Sequence, residues 1–244
     1  MKNIAVIIPS YKNELWCEKN LQSVLSQNYS NFRVIFTDDC SSDKTVQIVE
    51  NFVLRHNVAN KVKIIKNNER LGAMHNLYNM IHSCDDNEIV LTLDGDDWFA
   101  HPNVLKKIND VYSEDGVCMA YGSYIDFPNN SRGCCRPYER NVVDLNTFRH
   151  VPWRASHLRT FYVWLFKKIK KEDFYDPQGK FLDMAWDLSF MLPMLEMSGP
   201  NHRYVHEILY VYNNENPISD YKVNQGRQAA MDKWIRTKPK YSKI

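Results

Sequence analysis

Three carboxylates surround one glycine in Asp94-Gly95-Asp96-Asp97, directly after Ile89-Val90-Leu91-Thr92-Leu93. The apolar run reads as a buried strand, and the C-terminal ends of strands are where open α/β sheets place their ligands. Carboxylates clustered there repel one another unless a cation lies between them. Oxygen-only ligands suit a hard divalent ion, Mg2+ or Mn2+, and such an ion suits a diphosphate. Two further patterns close apolar runs: Ile7-Ile8-Pro9-Ser10-Tyr11 and Thr37-Asp38-Asp39-Cys40-Ser41-Ser42-Asp43. A fourth, Asn68-Glu69-Arg70-Leu71-Gly72, precedes a helical stretch. With three of the four at strand ends, a parallel sheet brings them to one edge.

The elements that must position these residues alternate over the first hundred positions. Strands are expected at Ile4–Ile8, Arg33–Thr37, Lys61–Lys66 and Glu88–Leu93. Helices are expected at Asn13–Gln27, after Ser42 or Asp43 with Val46, Val49, Phe52 and Val53 in helical register, and at Gly72–Cys84. Repeated units of this kind predict a mostly parallel sheet with helices on both faces. The second half predicts a helix from Pro102 to about Ser113, a strand at Val117–Gly122 and a loop over Asp126–Glu139. Helical spacing covers Arg154–Lys171 and Ala185–Met197, the latter kinked by Pro193, before a strand at Tyr204–Tyr212. Three regions follow: a first half, 1–100, a second half of the same domain, 101–224, and a basic tail, 225–244.

Composition adds limits. The 244 residues are 44% apolar and 25% charged with net charge +2, an ordinary globular balance with no global field calling for nucleic acid. The six cysteines match no zinc spacing and are expected to be reduced thiols. No apolar run approaches the roughly 20 residues of a membrane span, and the first, ending in Pro9, is too short for a signal-peptide core. A cytoplasmic location is expected. The tail carries six Lys/Arg, one Asp, Trp234, Ile235 and Tyr241. Two readings of it stay open: a solvated terminal helix with a frayed end, or peripheral contact with an anionic membrane surface.

The order and spacing of the four patterns resemble the family 2 glycosyltransferases of GT-A fold, closely over Lys2–Asp97 and more loosely to about Tyr212. Any single motif is weak; the ordered set is specific. The resemblance implies a Rossmann-like sheet with 1–100 as the nucleotide-sugar-binding half and 101–224 as a smaller C-terminal acceptor-side region that carries the catalytic base. It implies inverting transfer of one sugar from a nucleoside-diphosphate sugar, expected to be UDP-linked, to a hydroxyl of a glycan or lipid-linked saccharide, with Mn2+ or Mg2+. Pro9 and Tyr11 would lie beside base and ribose. Asp39, with Asp38 as the neighbouring candidate, would accept from the base imide N–H. Arg70 and Gly72 would pass the donor nucleotide. Asp94 would contact ribose or sugar hydroxyls beside Gly95, and Asp96 would bind the metal. Cys40 stands where the family commonly has glycine.

An acceptor hydroxyl must lose its proton as it attacks, and a carboxylate commonly takes it. The family places this base near a helix start on the C-terminal side. Asp187 in Trp186-Asp187-Leu188 is the first choice and Asp183 the second, although the frequent Glu-Asp pair is missing. His157 and Arg159, within Trp153–Phe161, are candidates for the diphosphate or the acceptor. His202 and His206 read as structural residues of a strand. Asn213-Asn214-Glu215-Asn216-Pro217 reads as a turn near the acceptor. Rival readings are a degenerate sugar-nucleotide-binding protein, a nucleotidyltransferase and a glycoside hydrolase. The second of these is disfavoured because no glycine follows the first strand.

Overall fold

The structure, a computed structural model, describes residues 1–218, 222 and 224–244. Positions 219–221 and 223 of the expected acceptor half lie outside the described residues. β1 (Ile4–Ser10), α1 (Cys17–Leu25), β2 (Phe32–Asp38), α2 (Thr45–Arg55), β3 (Val62–Lys66), α3 (Ala73–His82) and β4 (Ile89–Thr92) follow the expected alternation. Then come β5 (Trp98–Phe99), α4 (Val104–Val111), β6 (Met119–Phe127), α5 (Arg140–Asp144), β7 (Arg159–Tyr162) and α6 (Val163–Phe166). α7 (Trp186–Ser198), β8 (His202–Asn213) and α8 (Gln225–Thr237) complete the chain.

One eight-stranded sheet runs in the order β3-β2-β1-β4-β7-β6-β8-β5. β1 pairs in parallel with β2 and β4, β2 with β3, and β6 with β8. β7 is antiparallel to both β4 and β6, and β5 is antiparallel to β8. The result is a mostly parallel sheet flanked by helices. Side chains alternate across it, as the strand repeat of two requires. On β1, Ala5 and Ile7 join a core with α3, α6 and α7, whereas Ile4, Val6 and Ile8 join a second with α1, α2 and α4.

Three expectations are corrected. The helix expected over 154–171 is instead β7 followed by the single turn of α6. Leu158, Phe161 and Leu165 do recur at helical spacing. However, Arg159-Thr160-Phe161-Tyr162 fills the slot between β4 and β6, and a run of Thr, Phe and Tyr suits a pleated surface. Strand β6 runs on to Phe127, into the stretch expected to be loop. The tail is docked rather than frayed. Ile235 is buried, and the Tyr241 N–H donates to Glu196 at 2.9 Å. That carboxylate is itself buried and is held by Arg149 through Nε at 2.5 Å and Nη2 at 3.0 Å, while Arg149 Nη1 donates to the Ile235 carbonyl at 2.7 Å. All six cysteines are free thiols. Among the described residues, no helix is long and apolar enough to cross a membrane.

Candidate active site

Register brings the motifs together. Pro9 lies opposite Thr37, Ser10 opposite Asp38, and Ile7 opposite Thr92 at the end of β4. Beyond β2, buried Asp39 accepts at Oδ1 from the Leu71 N–H (2.9 Å) and Asn67 Nδ2 (2.8 Å), and at Oδ2 from the Gly72 N–H (2.8 Å). Burial alone would raise its pKa, but these donors outweigh it and hold the carboxyl below its usual value. Asp39 thus ties segment 67–72 to the sheet. Gly72 turns into α3 at φ +89°, a conformation that favours glycine. Arg70 lies over the Tyr11 ring, 4.0 Å from its centroid. Asp38 Oδ2 accepts from the Ser41 N–H at 2.9 Å. Cys40 takes φ +61°, a physical reason for glycine at the equivalent place in the family it resembles. Pro9, Tyr11, Asp38, Asp39, Arg70 and Gly72 therefore share one edge of the sheet.

The carboxylate turn is held from three elements. Asn20, fully buried on α1, donates through Nδ2 to the carbonyls of Asp94 (2.9 Å) and Asp97 (2.8 Å). A Cβ at Gly95 would come within 2.6 Å of Asn13 Nδ2 and 2.8 Å of Ser10 Cβ, so the turn lies too close to β1 for a side chain. Buried Asp97 is an anchor. It accepts from the Tyr210 hydroxyl at 2.5 Å and from the Asn213 N–H at 2.7 Å, both on β8. Asn216, in the turn after β8, donates to Asp96 Oδ2 at 2.7 Å. Burial pushes Asp94 up to about 6, Arg159 opposes, and Asp96 and Asp187 add to the rise.

Arg159 sits between two of these acids. Its guanidinium is buried 3.8 Å from Asp94 Oδ2 and 3.7 Å from Asp187 Oδ2, and its Cζ lies 5.1 Å from the centroid of the Trp186 ring. Strand β7 places it there, because its register sets Arg159 opposite Thr92 at the end of β4. Asp187 stands in the first turn of α7; burial raises its pKa and Arg159 opposes the rise. His157 stacks on Tyr210 with ring centroids 4.5 Å apart, and burial, then Arg159, hold its pKa far below the usual value, leaving it neutral. Asp183 lies apart from this group, half-exposed and paired with Arg227 of α8 at 2.8 Å.

The donor set fits a cation. One oxygen each of Asp94 and Asp97 and a ring nitrogen of His157 lie within 4.8 Å of one another. Both Asp97 oxygens already accept hydrogen bonds, whereas Asp94 Oδ1 is buried with no hydrogen-bond donor among the described residues. Asp94 therefore gains most from a positive ion, and Asp96 beside it adds a second carboxylate.

Residues 5–176 match the family model of glycosyl transferase family 2. The chain belongs to that family. A curated relative from Escherichia coli, UDP-Glc:alpha-D-GlcNAc-diphosphoundecaprenol beta-1,3-glucosyltransferase WfgD, is 29% identical over 129 residues, covering 52% of this chain and 48% of its own. Staphylococcus aureus TarS 1-349 in complex with UDP-GlcNAc superposes with TM-score 0.66 at 21% identity, over 88% of this chain and 59% of that one. The mannosyltransferase PcManGT of Pyrobaculum calidifontis, in complex with GDP-Man and Mn2+, gives TM-score 0.66 at 19% identity, over 98% and 66%. Both structural likenesses show the GT-A fold. The matched regions span from 17% to 58% of the length of the curated relatives.

In this family 2 chain a cavity of about 1310 Å3 opens beside the carboxylates. Asp94, His157, Arg159 and Asp187 line it together with Trp153 and Trp186. Its remaining wall includes Gln228, Asp232, Lys233 and Arg236 of α8 and, beyond the helix, Lys240. Sequence reasoning missed Asn20, Tyr210 and the α8 wall. The first two carried no local signal, since an asparagine in a helix and a tyrosine in a strand are commonplace. The Asn213–Pro217 turn does fold onto the site, where Asn213 and Asn216 hold Asp97 and Asp96.

Proposed function

We propose that this chain is a metal-dependent, inverting glycosyltransferase that moves a single sugar from a UDP-linked donor to a hydroxyl of a glycan or lipid-linked acceptor. The observation that carries the reading is Asp187 facing Asp94 across the buried Arg159 guanidinium, at the wall of a cavity beside the carboxylate turn. The donor nucleotide lies along Pro9, Tyr11, Asp39 and the Arg70–Gly72 segment. Asp94 and Asp96 are the residues that would hold Mn2+ or Mg2+, and such an ion would neutralise charge on the departing diphosphate. Asp94 positions the donor sugar beside Gly95. Asp187 accepts the proton of the acceptor hydroxyl as that oxygen attacks the anomeric carbon from the face opposite the leaving group. Arg159 opposes the rise that burial causes in Asp187 and so favours its ionised form, and neutral His157 adds a polar wall without a competing charge. Peripheral contact of the basic tail with an anionic membrane belongs to the same reading, and sedimentation with anionic vesicles tests it.

Thermal unfolding with UDP, GDP, dTDP and CDP, each with and without Mn2+, tests the donor site. Binding at about 100 times the dissociation constant adds roughly 2.7 kcal/mol of stability. A Mn2+-dependent rise with UDP that Asp96→Ala abolishes is the expected result. Asp187→Asn should keep that rise and lose transfer. No rise with any nucleotide refutes the reading.

A further inference from the structure

Two thiols stand against the wall of the cavity without taking part in the chemistry above. After β6 the chain folds back on the strand. The Asp126 N–H donates to the Ser131 carbonyl at 2.9 Å, the Gly133 N–H donates to the Tyr124 carbonyl at 3.0 Å, and Ile125 bridges to Arg132. A Cβ at Gly133 would fall 2.0 Å from Tyr124 Cζ, so the returning chain lies directly on that ring. Cys134 and Cys135 follow at once. Their side chains interact with each other, and Cys134 is exposed whereas Cys135 is buried.

Each thiol touches a residue of the cavity wall. The Tyr124 hydroxyl lies 3.9 Å from Cys134 Sγ, and the Cys135 thiol donates to the His157 carbonyl at 3.3 Å. Tyr124 and His157 both line the cavity, and their rings meet edge to face with centroids 5.2 Å apart. His157 stands two residues before Arg159, the counter-charge of Asp187. A change at either sulfur therefore reaches the wall beside the base through one contact. The Cys135 side chain, aided by Tyr124, outweighs burial and brings the Cys134 thiol down to about 6, which makes it a thiolate at neutral pH. Cys40 is also exposed, but it has no cysteine beside it in the chain.

We propose that Cys134 and Cys135 are a site of reversible modification by low-molecular-weight disulfides, ending in a Cys134–Cys135 bridge that slows transfer. The Cys134 thiolate attacks one sulfur of the disulfide, forming a mixed disulfide and releasing one thiolate. The Cys135 thiol then loses its proton to solvent and attacks Cys134 Sγ, closing the bridge and releasing the second thiolate. The two cysteines are oxidised by two electrons, and the disulfide is reduced to two thiols. The Cys134 thiolate is the first cause that holds the Cys135 thiol protonated, and capping removes it. Consecutive Cα atoms lie ~3.8 Å apart, short of the roughly 4.4–6.8 Å that a disulfide usually spans, so the bridge is strained and readily reduced. Its formation removes the S–H that holds the His157 carbonyl. The slowing of transfer rests on the transferase reading above; the bridge itself does not.

The test treats the full chain with glutathione disulfide and reads its tryptic peptides by mass spectrometry. Pro137 blocks cleavage after Arg136, so the diagnostic peptide is Gly133–Arg140. That peptide should lose two hydrogen atoms and regain them with dithiothreitol, while Cys40 acquires only a glutathione adduct. Transfer should fall roughly fivefold, the scale of one lost hydrogen bond, and recover on reduction, with the UDP–Mn2+ thermal shift retained throughout. Cys134→Ser should transfer as wild type before treatment and stay unaffected by it. A Gly133–Arg140 peptide left unchanged, or one carrying only a glutathione adduct as Cys40 does, overturns the proposal. So does a bridge that leaves transfer unaltered, or an equal loss of transfer in Cys134→Ser. Untreated protein with neither transfer nor a UDP shift overturns the transferase reading instead, and the peptide still decides the bridge.

Discussion

Replacing Arg159 by methionine should move the acid limb of the pH–activity profile upward. Arg159 is the buried counter-charge of Asp94 and Asp187, at 3.8 Å and 3.7 Å. At an effective dielectric constant of about 20, a unit pair at about 4 Å interacts by roughly 4 kcal/mol. Both carboxylates border a water-accessible cavity, so a third to a half of that is a reasonable net value. At 1.36 kcal/mol per pKa unit this corresponds to a rise of about one unit in Asp187. The sign follows from the two causes already acting: burial raises Asp187, Arg159 opposes, and removing Arg159 leaves burial unopposed. A general base works only when ionised, so activity in Arg159→Met is lost first at low pH and partly recovers at high pH. On the proposed reading a divalent cation beside Asp94 would keep that group ionised, which leaves Asp187 as the group reported. The assay is kcat/KM for transfer from about pH 5 to pH 9, with Arg159→Lys as the charge-retaining control. An acid limb that stays in place in Arg159→Met would refute the assignment of Arg159 as the counter-charge of the base.

Three further outcomes are expected. Glu196→Gln leaves Arg149 buried without its counter-ion and should cost about 3–5 kcal/mol, while the double change Arg149→Met/Glu196→Met should recover most of it; calorimetry would register the single change as a melting-point loss of roughly 10 °C at 2–4 °C per kcal/mol. Gly95→Ala forces the carboxylate turn away from Ser10 and Asn13 and should cost about 1–3 kcal/mol of stability; retention of full UDP–Mn2+ affinity would show that the turn tolerates the shift. Asp39 is held below its ordinary value of 3.8 in the fold, so its contribution is present above that pH and is lost as pH falls through the depressed folded value. Urea midpoints at stepped pH should accordingly show the stability gap between wild type and Asp39→Asn closing on acidification, and a gap independent of pH would remove this role.

The sequence by itself determined the features that depend on near neighbours in the chain. Apolar runs ending in Tyr11, Asp39 and Asp94–Asp97 mark strand ends, because alternation of strand and helix is written in local periodicity. Parallel pairing then sets those ends side by side, so the nucleotide-side candidates were legible as a group. Asp187 was legible too, as a carboxylate at the start of a helix. Only the tertiary structure decided what each acid touches. Asp97 looks equivalent to Asp96 in the sequence, yet it is bound by Tyr210, 113 positions away, and becomes an anchor. Arg154–Lys171 carries a helical period, but pairing with β4 and β6 turns its middle into a strand and thereby places Arg159 between Asp94 and Asp187. In the sequence the tail reads as a free basic segment, whereas Arg149, Glu196 and the Ile235 carbonyl dock it as one wall of the cavity. In each case a pairing between distant segments set the burial and the partner of a charged group. Local periodicity holds no information about such pairings.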